Sequence, residues 1–251
     1  MLSRDRIVSQ LNTATYVQGL ILGDCVDSTN SKVKEMALRG AAEGVTMIAD
    51  TQTGGRGRRG RTFASPDGGL YLSTLLRPAA QTDPGVITCR AAVAAARAIE
   101  SLCDLHIDIK WVNDLYLNGR KVAGILAEGV LSPDGTPTAV VLGIGINVEG
   151  TLPAELDGIA TTLAAHGATL SREDLAAAFL NQWEQACAAD HAEMMAEYRR
   201  RNLVLGRQVT VVQGSETYPA IALAITDNGH LQVSAPDGER ILSSGEVSLR
   251  L

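Results

Sequence analysis

At 251 residues, 45% hydrophobic and 20% charged, the chain can bury a substantial core in one large domain with room for a small second one. A net charge of −6 and a pI near 5.3 argue against general nucleic-acid binding and favour a small anionic ligand wherever cations cluster locally. Cys25, Cys89, Cys103 and Cys187 form no C-x-x-C pair and His106, His166, His191 and His230 are equally dispersed, so neither a disulfide framework nor a zinc site is indicated.

Arg4, Asp5 and Arg6 precede any apolar run, and no apolar stretch reaches membrane-spanning length, so a cytoplasmic protein without membrane contact is expected. The spacing predicts a short amphipathic helix at Ile7 to Leu11 and a first strand over Gly19 to Gly23. Asp27-Ser28-Thr29-Asn30 supplies capping residues for a helix over Ser31 to Arg39, stopped by Gly40. Val45 to Ala49 reads as a buried strand that delivers the chain to Gln52 and to a loop, Thr53 to Arg61, that interleaves four arginines with four glycines.

Leu70 to Leu76 is a further strand, ended by Arg77-Pro78. Pro84 opens a long helix with Val86, Cys89, Val93, Ala96, Ile99 and Leu102 on one apolar stripe. Strands follow over His106 to Trp111, Lys121 to Val130 and Thr138 to Val148, with turns at Asn118-Gly119 and Pro133-Asp134-Gly135. Ser171 caps a second long helix whose row Leu175, Phe179, Trp183 and Cys187 reads as core. Beyond Arg199-Arg200-Arg201-Asn202 the pattern changes to short alternating strands broken by Gly214, Asp227-Asn228-Gly229 and Pro236-Asp237-Gly238, a small β-barrel-like module. The boundary is placed near Leu203, giving domains 1–203 and 204–251.

No acid interrupts the arginine loop between Thr51 and Ser65. Glycine lets the backbone come close to a ligand, and each guanidinium offers a planar fork matched to carboxylate or phosphate. From that segment alone, a solvated basic loop or a nucleic-acid patch is an equal alternative. Its company favours an anion-handling site: Arg56 and Arg58 can gather phosphate and carboxylate oxygens, and Lys110 and Lys121 place two ammonium groups at neighbouring strand ends beside Asn113 and Asp114. Ser28, Thr29, Asn30 and Gln52 offer short neutral donors and acceptors for a polar uncharged head group; singly, capping explains the first three as well. Gly143-Ile144-Gly145-Ile146-Asn147 lets backbone approach a ligand, a weak signal alone.

Gly55 to Arg61, Lys110 to Asp114, Arg120 to Leu126 and Gly143 to Val148 together resemble the bacterial biotin–protein ligases, and Gly245 to Arg250 resembles that family's C-terminal segment. The resemblance implies an α+β fold with a class II aminoacyl-tRNA-synthetase-like catalytic domain and an SH3-like C-terminal domain. It implies formation of biotinyl-5′-AMP from biotin and ATP, with Mg2+ held mainly by the nucleotide, and transfer of biotin to a lysine of a biotin carboxyl carrier domain. By the same resemblance Ser28, Thr29, Asn30, Gln52, Arg56, Gly57, Arg58, Lys121 and Gly124 bind biotin or the adenylate. Arg58, Arg61, Phe63, Lys110, Asn113 and Asn147 bind the nucleotide, and Arg56, Arg58 and Lys110 carry catalysis. No metal ligand is assigned, and homodimerisation is left open.

Two positions depart from the family pattern: Val112 stands where proline is usual, and Phe63 where tryptophan is common. The DNA-binding domain of the repressor members has no counterpart before residue 20, so DNA is not an expected partner. A lipoate or octanoate ligase of the same superfamily is the nearest alternative enzyme, and a non-catalytic anion sensor the alternative of another class. The loop Thr53 to Arg61 is expected to be mobile without ligand and to close over the adenylate, because ordering four glycines is entropically costly and four cations repel until an anion screens them.

Overall fold

The computed structural model describes residues 1–78, 83–132, 134–243 and 246–249. Pro133 of the expected turn, and Gly245 and Arg250 of the C-terminal motif, lie outside the described residues.

Seven strands form one mixed sheet: β1 (Leu20–Val26), β2 (Thr46–Gln52), β3 (Leu70–Leu76), β4 (Asp108–Lys110), β5 (Asp114–Leu117), β6 (Arg120–Leu131) and β7 (Pro137–Ile146). Their spatial order is β1-β2-β3-β7-β6-β5-β4, with β1 and β2 parallel and the remaining pairs antiparallel. The helices are α1 (Arg4–Ser9), α2 (Thr29–Leu38), α3 (Pro84–Leu102), α4 (Arg172–Ala188) and α5 (His191–Arg201).

Strand alternation divides the sheet into two faces. Leu70, Leu72 and Leu76 of β3 and Leu142, Ile144 and Ile146 of β7 join the main core with α3 and α4. Leu75 and Val141 point the other way, into a smaller cluster with Met47 and Val33 of α2. Gly143 and Gly145 share that second face, and so does the site described below. Helix α3 is buried nearly all round from Ala91 to Ala96, because its small side chains let the sheet and α4 approach from both sides.

Several boundaries differ from the sequence expectation. Helix α1 starts three residues early because Ser3 caps it, and β1 runs on to Val26 because it pairs with β2 through Gln52. In α4, Leu175, Phe179 and Trp183 are buried but Cys187 is exposed, so the expected core row stops one turn short. Helix α5 was not expected, and the stretch read as a boundary, Arg199 to Asn202, is its last turn and C-cap. Asp190 caps it by accepting from Ala192 and Glu193 N–H, and Met194, Met195 and Tyr198 bury one face. Its last turn is fixed by an ion network in which Glu197 holds Arg97 and Arg201 (2.9 Å), and Arg201 also holds Glu100 (2.7 Å).

The C-terminal sheet is antiparallel, in the order β11-β10-β9-β8-β12, with β8 (Gln208–Gln213), β9 (Glu216–Ile225), β10 (Leu231–Ala235), β11 (Gly238–Leu242) and β12 (Glu246–Leu249). It is clamped to the body: Trp111 Nε1 donates to the Gly229 carbonyl at 2.8 Å and Arg199 Nε to the Ile225 carbonyl at 2.7 Å.

Candidate active site

The site lies on the α2 face of the sheet, where β2, β3, β7 and β6 run beneath the N-terminus of α2 and the arginine loop folds over them. The loop is a tight turn. Thr53 and Gly54 N–H donate to the Val26 and Asp27 carbonyls, Gly57 N–H donates to Arg61 O at 2.7 Å, and Phe63 N–H donates to Gly55 O at 2.9 Å. A Cβ on Gly55 would lie 2.3 Å from Phe63 O, so only glycine lets the two arms close. The segment expected to be loose is tied by side chains to two strands and a turn: Arg56 Nη2 to Glu128 of β6 at 2.8 Å, Arg58 Nη1 to Asn113 Oδ1 in the turn before β5 at 3.3 Å, and Arg59 Nη1 to the Val212 carbonyl of β8 at 3.0 Å. Three of the four arginines that would repel one another thus meet internal acceptors.

Opposite the loop, Ser28 caps α2. Thr29 and Asn30, both buried, engage the sheet. Thr29 N–H donates to Gln52 Oε1 at 2.8 Å, Ser73 Oγ lies 2.7 Å from Thr29 Oγ1, and Asn30 Nδ2 donates to Glu128 Oε2 at 2.8 Å. Capping therefore accounts for Ser28 but not for its two neighbours. Gln52 is fixed at its far end, with Nε2 donating to Ser65 Oγ at 2.8 Å.

Phe63 covers the middle of the cleft. A Cβ on Gly145 would lie 2.5 Å from its ring and one on Gly124 3.2 Å from it, so the two glycines make the slot the ring occupies. Its edge meets Tyr71 at 6.4 Å, and Lys121 Nζ stands 5.8 Å from its centre. Burial pushes the Tyr71 phenol far above its ordinary range, so it serves as a neutral donor to the Pro66 carbonyl at 2.6 Å. At the strand ends, Lys121 Nζ lies 2.7 Å from Asp114 Oδ1, and Lys110 Nζ 3.4 Å from the Tyr116 hydroxyl. The peptide bond between Trp111 and Val112 is cis.

The cleft is thus lined by Ser28, Thr29, Asn30 and Gln52 on one side, by Arg56, Gly57, Arg58, Arg61 and Phe63 above, and by Lys110, Asn113, Lys121 and Gly124 at the strand ends. Asn147 is not in the lining. It is buried and donates its Nδ2 to the Thr161 carbonyl at 3.1 Å, bracing the segment that follows β7. Residues that sequence reasoning passed over are Glu128, Ser73, Trp111, Arg59 and Val247, the last reaching the cleft from β12. The available signal for the first two was a polar residue inside an apolar strand: Ser73 within Leu70–Leu76 and Glu128 within Arg120–Leu131.

Chemically, the lining combines neutral donors and acceptors with cations, which suits a molecule with a polar uncharged head and an anionic tail. Among the described residues no group of three His, Cys, Asp or Glu could hold a metal by itself, and no helix is long and apolar enough to cross a membrane.

A model described as the biotin/lipoate A/B protein ligase family matches residues 22–147, and one described as the biotin protein ligase C-terminal domain matches residues 204–250. The biotin--[acetyl-CoA-carboxylase] ligase of Mycobacterium tuberculosis is 34% identical over 236 residues, covering 88% of this chain and 85% of that protein. The bifunctional ligase/repressor BirA of Bacillus subtilis is 33% identical over 259 residues, covering 99% and 79%. Among solved structures, the biotin protein ligase from Aquifex aeolicus in complex with biotin and ATP superposes with a TM-score of 0.78 at 30% identity, covering 93% of this chain and 99% of that one. With both domain models matched in order, relatives aligned over most of their length and the fold held in common, this chain belongs to the biotin/lipoate A/B protein ligase family.

Proposed function

We propose that the chain is a biotin–protein ligase that makes biotinyl-5′-AMP from biotin and ATP and passes the biotinyl group to a lysine of a biotin carboxyl carrier domain. The observation that carries this reading is the single cleft lined both by the neutral polar groups Thr29, Asn30 and Gln52 and by the cations Arg56, Arg58 and Lys121. The relatives' names support it, as does the C-terminal match specific to biotin protein ligases.

In the first half-reaction the biotin carboxylate attacks the α-phosphorus of ATP and pyrophosphate leaves. The carboxylate needs no base; it needs relief from charge repulsion and alignment. Arg58 and Lys110 supply that relief at the phosphates. Arg56 and Lys121 do so at the carboxylate, each exchanging an internal acceptor, Glu128 or Asp114, for the ligand. In the second half-reaction the carrier lysine amine attacks the acyl carbon, the bond to phosphate breaks and AMP leaves. Phe63 and the arginine loop keep water from the mixed anhydride.

Mg2+ usually takes one or two carboxylates, phosphate oxygens and water. Asp114 fits that donor set, because its Oδ1 is buried and near Lys121 yet has no aligned hydrogen bond. When bound there, the ion would neutralise phosphate charge, with Asn113 beside it. The chain is read as two domains, 1–203 and 204–251, acting in the cytoplasm where ATP and the carrier are found. The decisive experiment supplies labelled biotin, ATP and a carrier domain. Biotin-dependent pyrophosphate release and label on the carrier are expected, and activity with lipoate or octanoate but not biotin would overturn the reading.

A further inference from the structure

Strand β4 is the outer strand of the seven-stranded sheet, so the edge turned away from β5 has no strand to pair with. The end of α5 supplies the missing partners. Arg201 Nη1 donates to the Ile107 carbonyl at 3.3 Å, and Glu100, which Arg201 also holds, accepts the Ile107 N–H at 2.9 Å. Two residues on, the Ile109 carbonyl accepts from Leu203 N–H at 2.9 Å, and Asn202 forms a parallel bridge with Ile109. Peptide groups of alternate residues point to the same side of a strand, so Ile107 and Ile109 are the residues that an edge cover must satisfy.

Edge cover explains those bonds but not a third. Beyond the strand, in the turn that joins β4 to β5, the Val112 carbonyl accepts from the Tyr198 hydroxyl of α5 at 2.8 Å. Tyr198 is fully buried, and burial raises its phenol well above the ordinary range, so the group stays a neutral donor. Lys110, Trp111 and Asn113, on either side of Val112, all line the cleft. From the front, Asn113 is tied to β6: its Nδ2 donates to the Ile125 carbonyl at 2.9 Å, and its own carbonyl accepts from Ile125 N–H at 2.9 Å. Its Oδ1 accepts from Arg58 of the arginine loop. The Tyr198 hydroxyl ties the same turn from behind.

We infer that Tyr198 is a positioning residue for the nucleotide: its hydroxyl fixes the Val112 carbonyl and, through it, the angle at which the turn presents Lys110 and Asn113 to the phosphates. The inference rests on the function proposed above, in which those two residues stand at the phosphates of ATP. Thr29, Asn30 and Gln52 bond to Ser73, Glu128 and Ser65 rather than to this turn, so the neutral part of the cleft is held independently of it.

Tyr198→Phe removes the hydroxyl and keeps the ring. Read by calorimetry on the full chain, it should weaken ATP by about tenfold and biotin by no more than about twofold. In biotin-dependent pyrophosphate release KM for ATP should rise by a similar factor while KM for biotin stays near the wild-type value. Met194→Ala is the stability control, since it removes buried side-chain volume from the same helix and no hydrogen bond to the turn; it should lower the melting temperature and leave ATP affinity unchanged. Adding Lys110→Ala closes a double-mutant cycle. Because Tyr198 acts through the turn, the double variant should lose less ATP affinity than the product of the two single losses. Losses that multiply, equal losses for ATP and biotin, or an equal ATP loss in Met194→Ala would overturn the positioning role and leave Tyr198 a core residue alone. Wild-type protein that binds no ATP would overturn the functional reading and the positioning role together, whereas unchanged ATP affinity in Tyr198→Phe, beside a wild type that releases pyrophosphate, overturns the positioning role alone.

Discussion

Gly143→Ala isolates the close approach of Asn30 to the sheet. The backbone of β7 at this position is ordinary strand, so alanine adds no conformational strain, and the whole effect comes from one methyl group. That methyl would lie 1.9 Å from Asn30 Oδ1, where contacts under 3.0 Å essentially do not occur. Asn30 must therefore retreat by about 1 Å, which stretches its bonds to Glu128 and Ser73 beyond useful length. Overpacking of this kind costs about 1–3 kcal/mol, or roughly 2–12 °C in melting temperature for a chain of this size. Misplacing a positioning group by about 1 Å costs on the order of 100-fold in rate, so kcat/KM for biotin in pyrophosphate release should fall by about that factor. Gly129→Ala on β6 is the control: a Cβ there meets no atom within 4 Å, and both measurements should stay at the wild-type value. A Gly143→Ala enzyme with unchanged biotin KM and unchanged melting temperature would refute the packing account of the cleft floor.

Lys121→Ala should weaken biotin more than ATP in separate titrations, and adding Asp114→Asn should restore part of the loss, because the single variant leaves a half-buried carboxylate facing another one. Arg56→Ala with Arg58→Ala should abolish biotin-dependent pyrophosphate release while shifting the melting temperature little, since both side chains sit on a loop outside the core; normal release would remove them from the site. Trp111→Phe should cost about 1–3 kcal/mol in denaturant unfolding by leaving the buried Gly229 carbonyl without its donor, and no loss would mean that this contact does not hold the C-terminal sheet. Burial alone would raise the Glu197 carboxyl, but hydrogen bonds from Arg97 and Arg201 outweigh it and hold the group below its ordinary 4.5. The stability it supplies is present above that value and lost as pH falls through the lowered one, so melting temperature should drop in that acid window, and less steeply in Glu197→Gln.

Local chemistry in the chain was enough to identify the elements that form by themselves. The stripe of α3, the caps at Ser28 and Ser171, the Asn118-Gly119 turn and the glycine-interrupted arginine loop all follow from interactions within a few residues, and these positioned most of the cleft lining in advance. Helix α5 carried a local cap at Asp190 and an apolar face of Met194, Met195 and Tyr198, but the ion pairs that fix its last turn come from partners about 100 residues away, Arg97 and Glu100. Asn147 stood beside a ligand-like glycine pair in sequence, yet the fold turns its amide to Thr161, since a buried carboxamide takes the nearest free carbonyl. The hydrogen bonds that join Glu128 and Ser73 to Asn30 and Thr29 could come only from tertiary structure. Their partners arrive from β3, β6 and α2, which touch only when the sheet is assembled.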